Sequence, residues 1–163
     1  MESTVRQAHP VARSNGLAGV AKGGVKALEF FAPVFDLAVR LWVANVFFKS
    51  GLTKIASFDT TVALFENEYS VPLLSPYLAA LLGTGAELFL PVLLALGLAG
   101  RFAAAGLFVL NFVAVISYPD LSEAGLEQHF YWGFLMLVTV FHGPGKLSVD
   151  HFIRRAYMGR GQR

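Results

Sequence analysis

Four long apolar stretches constrain this chain more than any other feature. They run from about Val34 to Leu52, Leu78 to Leu98, Phe102 to Tyr118 and Leu126 to Phe141. Each approaches the roughly 17 to 25 residues that a helix needs to cross about 30 Å of hydrocarbon. Inside lipid the backbone has no water to bond with, so stretches of this kind satisfy their N–H and C=O groups as helices. The expectation is an all-α fold, a four-transmembrane-helix bundle embedded in a lipid bilayer. The fourth stretch has the shortest apolar part, because Glu127, Gln128 and His129 occupy its first turn. Composition agrees with a membrane protein: the chain is 55% hydrophobic and 15% charged, with a mean hydropathy of +0.57, too apolar for an ordinary soluble domain. It holds no cysteine, which excludes disulfides, thiolate metal sites, iron–sulfur clusters and cysteine nucleophiles. Redox chemistry would require a borrowed cofactor.

The connections carry further information. Between the first two stretches lies IASFDTTVALFENEYSVPLLSPY, in which Phe58, Val62, Phe65 and Tyr69 recur at helical spacing while Asp59, Glu66 and Glu68 lie elsewhere. That pattern predicts a short interfacial helix between the first and second spans, capped by Ser57 or Asp59, with Phe58 and Phe65 against lipid. Pro72 and Pro76 end it. The brief link Ala99-Gly100-Arg101 makes the second and third spans antiparallel neighbours. After Tyr118 the sequence PDLSEAG is turn-like and carries two acids.

Orientation follows from Lys and Arg, which resist translocation. Arg6, Arg13, Lys22 and Lys26 precede the first span, Arg101 lies between the second and third, and Lys146, Arg154, Arg155, Arg160 and Arg163 follow the fourth. Lys54, together with Lys49, stands on the opposite side. Both termini are therefore expected in the cytoplasm, and the chain in a bacterial inner membrane. The first thirty residues lack an apolar core of the kind a secretory signal needs. The expected organisation is a basic flexible tail over residues 1–30, the bundle over 31–145 and a basic tail over 146–163. The basic ends bear on topology rather than on nucleic acid, which is not an expected partner.

An ionised group in hydrocarbon costs several kcal/mol unless it is paired or reaches the interface. Glu87, near the middle of the second stretch, is the sharpest case. Arg40 lies in the first stretch, with Asp36 one turn before it as a partner within the same helix. Arg40 is the expected partner of Glu87, and Lys49 the rival. Asn45 and Asn111 add neutral groups able to bridge helices. As structure, this set is an ionic lock between the first two spans. As function, it is a proton-linked or quinol-binding site in which a carboxylate exchanges a proton with a ligand hydroxyl. The small residues Ala79, Gly83, Gly85 and Ala86 around Glu87 point to close helix approach rather than a roomy pocket. His9, His129, His142 and His151 show no ligand spacing, so no metal site is expected. Phosphate loops and nucleophile triads are absent.

These pieces together resemble the DoxX family of small four-helix bacterial membrane proteins. The resemblance rests on Arg40, on Phe48-x-x-Gly51-x-x-Lys54 and on Glu87 followed, after Leu88, Phe89 and Leu90, by PVLLALGL. It continues through Arg101-Phe102-Ala103-Ala104 and the run from Gly143 to Asp150, covering about residues 36 to 150. Pro91 stands where the family pattern more often carries a small residue. The resemblance implies a cytoplasmic-membrane location and an association with redox systems, since relatives include the DoxD-type subunit of a thiosulfate:quinone oxidoreductase and proteins implicated in thiol and oxidative-stress assemblies. Fold alone does not give function. The expected role is an accessory or quinone-interacting subunit of a redox system rather than a self-sufficient enzyme. Such a subunit has no intrinsic cofactor, takes a quinone as ligand, and associates with a membrane or peripheral redox protein or with copies of itself. The alternative is a small transporter for a solute, a proton or a metal ion.

Overall fold

The computed structural model describes residues 15–160, with side chains described over 19–158. Six helices and no strand occur among the described residues: α1 (Asn15–Ala56), α2 (Phe58–Asn67), α3 (Pro76–Leu96), α4 (Gly100–Ser117), α5 (Glu123–His142) and α6 (Val149–Arg160). The first of two compact units comprises residues 1–32 and the second residues 33–163. In the first unit, residues 15–32 are helical, and every described side chain there is exposed. The flexible tail expected over residues 1–30 is thus helical from Asn15 on, while residues 1–14 lie outside the described part.

The second unit contains the packed core. The helix ends follow local chemistry. Ser75 caps α3 by accepting a hydrogen bond from Leu78 N at 3.4 Å, and Pro76 fills the first position, where a missing N–H costs nothing. At the other end Gly97 adopts φ +65°, and Leu98 N reaches back to Leu93 O at 3.0 Å to absorb a terminal carbonyl. Ser122 caps α5 in the same way through Gly125 N. The links around Gly97 and Tyr118 are short, so α3, α4 and α5 are successive packed neighbours. Val43, Ala44 and Phe47 of α1, Leu94 of α3, Ala103, Ala104 and Leu107 of α4 and Met136 of α5 form the principal core.

Three helical segments, Gly19–Ala56, Pro76–Leu96 and Gly100–Ser117, are long and apolar enough to cross a membrane. Their outward faces fit that solvent, since Phe89 is 64% and Phe102 81% exposed, a display that would cost a soluble protein dearly. Within lipid the tails are as apolar as leucine, so packing, small residues and interhelical hydrogen bonds hold the helices together rather than burial from water.

The expected segment between the first two spans is helical as α2, but its face differs from expectation. Phe65 is 8% exposed and packs with Ala79 and Ala80 of α3, while Phe58 is half-buried beside the same cluster. Phe65 therefore faces protein, not lipid, because small residues on α3 leave a seat for its ring. The segment expected as the basic C-terminal tail over 146–163 is described as far as Arg160. Ser148 is 2% exposed, Asp150 is bound to the α3–α4 turn and Val149–Arg160 is helical, with 161–163 outside the described residues.

Candidate functional site

Side chains on a helix lean toward its N-terminus, and this simple bias decides which charges meet. Lys54, near the end of α1, leans back along the helix and places Nζ 3.2 Å from Ser50 Oγ. There it donates to both oxygens of Glu87 in α3, at 2.5 Å and 2.6 Å. This is the one salt bridge among the described residues, with the side chains only 19% and 10% exposed. Gly51, one turn earlier, lets the helices touch: a Cβ there would stand 3.0 Å from Glu87 Cβ and from Leu88. Pro91 lies one turn beyond Glu87 and has no N–H to return to the Glu87 carbonyl, which loosens α3 next to the charge.

The expected Arg40–Glu87 pair does not form. Arg40 reaches instead to the turn between α3 and α4 and is 1% exposed. Its Nη1 donates to Leu94 O at 3.1 Å and Ala95 O at 2.9 Å, and its Nη2 to Leu147 O. The Leu94 and Ala95 carbonyls lie at the end of α3 and carry the negative end of its dipole, while Leu147 O belongs to the link before α6. Asp36 makes no ion pair with Arg40; a Cβ on Gly145 would lie 2.5 Å from Asp36 Oδ2, so that carboxylate packs on the Gly-Pro-Gly turn instead. Asp150 completes the junction, accepting from Ala99 N and Gly100 N at 2.8 Å each, where α4 begins. The rival partner, Lys49, is exposed, and so is Asn45. Asn111, 5% exposed, joins α4 to α5: Nδ2 donates to His129 O at 3.0 Å and Oδ1 faces His129 Nδ1 at 2.7 Å.

The Lys54–Glu87 pair lies in the wall of a cavity of about 570 Å³ bounded by α1, α3, α4, α5 and the α2–α3 segment. His129, Trp132, Tyr69 and Ser117 share the wall, and the remainder is mostly apolar. Ala79, Gly83 and Ala86 line it too, so the small residues around Glu87 leave space here rather than closing it, contrary to expectation. A Cβ on Gly83 would meet nothing closer than Phe65 Cζ at 3.8 Å. At one end Tyr69 stacks between Phe65, at 4.8 Å, and Tyr118, at 4.9 Å. Tyr118 donates to Glu68 Oε2 at 3.2 Å, and Ser70 N donates to Ser117 O at 2.8 Å. Burial pushes the Tyr69 phenol up, and the charges of Tyr118, Glu87 and Glu68 act in the same direction, so it keeps its proton. Ser117 Oγ is buried without a partner.

Sequence reasoning missed Lys54 as the partner and weighed His129 only as a metal ligand. The signal for Lys54 was present in Gly51-x-x-Lys54, which sets a close-approach glycine and a long cation on one helical face. His129 and Trp132 gave no such signal. Among the described residues no cluster of three His, Asp or Glu side chains could hold a metal.

An all-α membrane protein with a polar pair in an apolar cavity is the class that these features define. Residues 35–119 match the family described as DoxX, and the chain belongs to that family. An uncharacterized protein of Haemophilus influenzae is 29% identical over 128 residues, covering 74% of this chain and 84% of that protein. No solved structure matches the chain.

Proposed function

We propose that this protein is a quinone-interacting accessory subunit of a redox system in the bacterial inner membrane, with the cavity beside Lys54 and Glu87 as its ligand site. One observation carries the reading: a charged pair, a histidine and a tryptophan share an otherwise apolar cavity of about 570 Å³. That volume lies within the range of small-molecule sites, and few convergent polar groups in an apolar wall suit a flat ring with polar edges and an apolar tail. In this reading α5 is the fourth span and α2 lies at the outer interface. Both termini are cytoplasmic, following the Lys and Arg distribution. A protein partner or a second copy of the chain would then take electrons or substrate that the subunit itself cannot process.

The alternative is a small transporter. It needs a polar route past the cavity, and the junction at Arg40, 1% exposed and held by three carbonyls, speaks against one. Extraction into native-lipid particles followed by chromatography of the bound small molecules tests the proposal. A quinone should co-purify near stoichiometrically with the parent protein and be lost from Gly83→Leu, which fills the cavity. Absence of quinone from the parent, or equal retention by the filled variant, would remove this site assignment. Ion or solute flux in proteoliposomes would then favour transport.

A further inference from the structure

The last helix carries a face that nothing else in the fold covers. In α6, Val149, Phe152, Ile153, Ala156 and Tyr157 recur at the three- and four-residue spacing that gathers side chains into one stripe along a helix. A stripe of this kind normally packs on a core. Here Phe152 is 60%, Ile153 45% and Tyr157 74% exposed, and Ala156 is exposed with them. At about 100° per residue, Arg154 and Arg155 stand roughly 130° from the centre of the stripe, one on each side of it. Both are exposed, and so is Lys146 in the link just before the helix. None of these three cations forms a salt bridge among the described residues. Met158, opposite the stripe, is the one large apolar side chain on the polar side.

The start of α6 is pinned at a definite level. Asp150 N donates to Gly97 O at 3.0 Å, and the Asp150 carboxylate accepts from Ala99 N and Gly100 N at 2.8 Å each. Those residues belong to the turn between α3 and α4, helices of 21 and 18 residues that are long and apolar enough to cross the hydrocarbon. A turn joining two such spans stands at a surface of the bilayer, and the start of α6 stands there with it. Phe102, in the first turn of α4, is 81% exposed and marks the lipid-facing surface beside that turn. Asp150 itself lies about 90° round the helix from the stripe, so the anchoring contact leaves the apolar face uncovered. Its carboxylate is engaged by the amides that open α4, and the exposed side of α6 is left cationic.

We infer that α6 is an interfacial anchor lying along the bilayer surface on the side of the α3–α4 turn. Phe152, Ile153, Ala156 and Tyr157 enter the boundary between headgroups and acyl chains, and Arg154 and Arg155 rest on anionic phospholipid headgroups. Lipid suits this face because the stripe begins at the membrane surface and is flanked by cations whose long side chains reach sideways to phosphates. The Tyr157 ring, apolar in body and polar at its tip, fits the same boundary. Neither the ligand of the cavity nor the side on which the cytoplasm lies enters into this arrangement.

The chain has no cysteine, so single nitroxide labels can be introduced at chosen sites. Ile153→Cys, Ala156→Cys and Met158→Cys all fall at exposed positions and leave the core intact. Each labelled full-length protein is reconstituted into vesicles of phosphatidylcholine mixed with phosphatidylglycerol. Collisions of the label with oxygen, which concentrates in lipid, are then compared with collisions with a water-soluble nickel complex. Labels at Ile153 and Ala156 should be open to oxygen and several-fold less open to nickel than the label at Met158. Arg154→Gln together with Arg155→Gln should raise nickel access at Ala156, as should vesicles of phosphatidylcholine alone, since each arginine near an anionic surface is worth roughly fivefold in membrane affinity. Equal nickel access at all three sites would place α6 in water and overturn the inference. Shielding of Ile153 and Ala156 from oxygen and nickel alike would overturn it in favour of a protein partner, and spin–spin broadening would identify that partner as a second copy of the chain. Shielding unchanged by the arginine replacements and by neutral vesicles would overturn the headgroup contact.

Discussion

The energetics of single residues hinge on which charge Glu87 holds. Removing one member of a buried pair strands the other, at a cost of roughly 3 to 5 kcal/mol, much of a typical domain's margin. Glu87→Ala and Lys54→Ala should each lower the midpoint of thermal unfolding in detergent, and the double variant should be less damaged than the sum of the two. Arg40→Ala should also destabilise, because three carbonyls lose a common donor. Combined with Glu87→Ala, however, it should be additive, since the two side chains serve different junctions. Strong coupling between Arg40 and Glu87 in that cycle, with none between Lys54 and Glu87, would contradict the geometry. Both outcomes are read from the same set of melting curves.

Polar groups from α1 and α6 tie down the turn between α3 and α4. The turn from α3 to α4 receives Arg40 from α1 on its carbonyl side and Asp150 from α6 on its amide side, a cation at a helix C-terminus and an anion at a helix N-terminus. Gly97 makes room for Arg40 and for Ser148. At φ +65° it also holds a backbone conformation that an L side chain resists, and a Cβ there would fall 2.5 Å from Arg40 Nη1 and from Ser148 Cβ. Gly97→Ala should consequently cost more than Gly85→Ala, whose Cβ would meet nothing within 4 Å. Asp150→Ala should cost about 0.5 to 2 kcal/mol, the usual range for a lost helix cap, and should raise amide exchange at Ala99 and Gly100. Unchanged exchange at those two amides would show that Asp150 does not hold the start of α4 in solution.

At the scale of the whole molecule, the prediction concerns which side of the membrane each connection occupies. Reporter fusions after residue 28 and after Arg155 should report cytoplasm, whereas fusions near Glu68 and Glu123 should report the outer side. A C-terminal fusion on the outer side would mean that α5 does not cross the bilayer. The cavity and the Arg40 junction would then have to be placed anew relative to the lipid. The expected arrangement sets the cavity toward the outer half and the junction toward the cytoplasmic half, separated along α3 by the stretch from Glu87 to Leu94.

Apolar run length was enough to establish helices, membrane residence and the antiparallel order of α3 and α4, because lipid leaves the backbone few alternatives and a short link leaves the chain no room to turn otherwise. Glu87 was legible for the same reason, as an acid in the middle of a span. Its partner was not. Arg40, Lys49 and Lys54 all lie on the first long helix, and sequence spacing ranks them by depth, whereas the real pairing depends on the lean of each side chain and on the close approach at Gly51. The cavity was misread from its small residues, since alanine and glycine permit either contact or space. Which one occurs is decided by where the neighbouring backbones lie, and that is a property of the tertiary structure alone. His129 belongs to the same category: its Nδ1 meets the amide of Asn111 on another helix, eighteen residues away in the chain and 2.7 Å away in the fold.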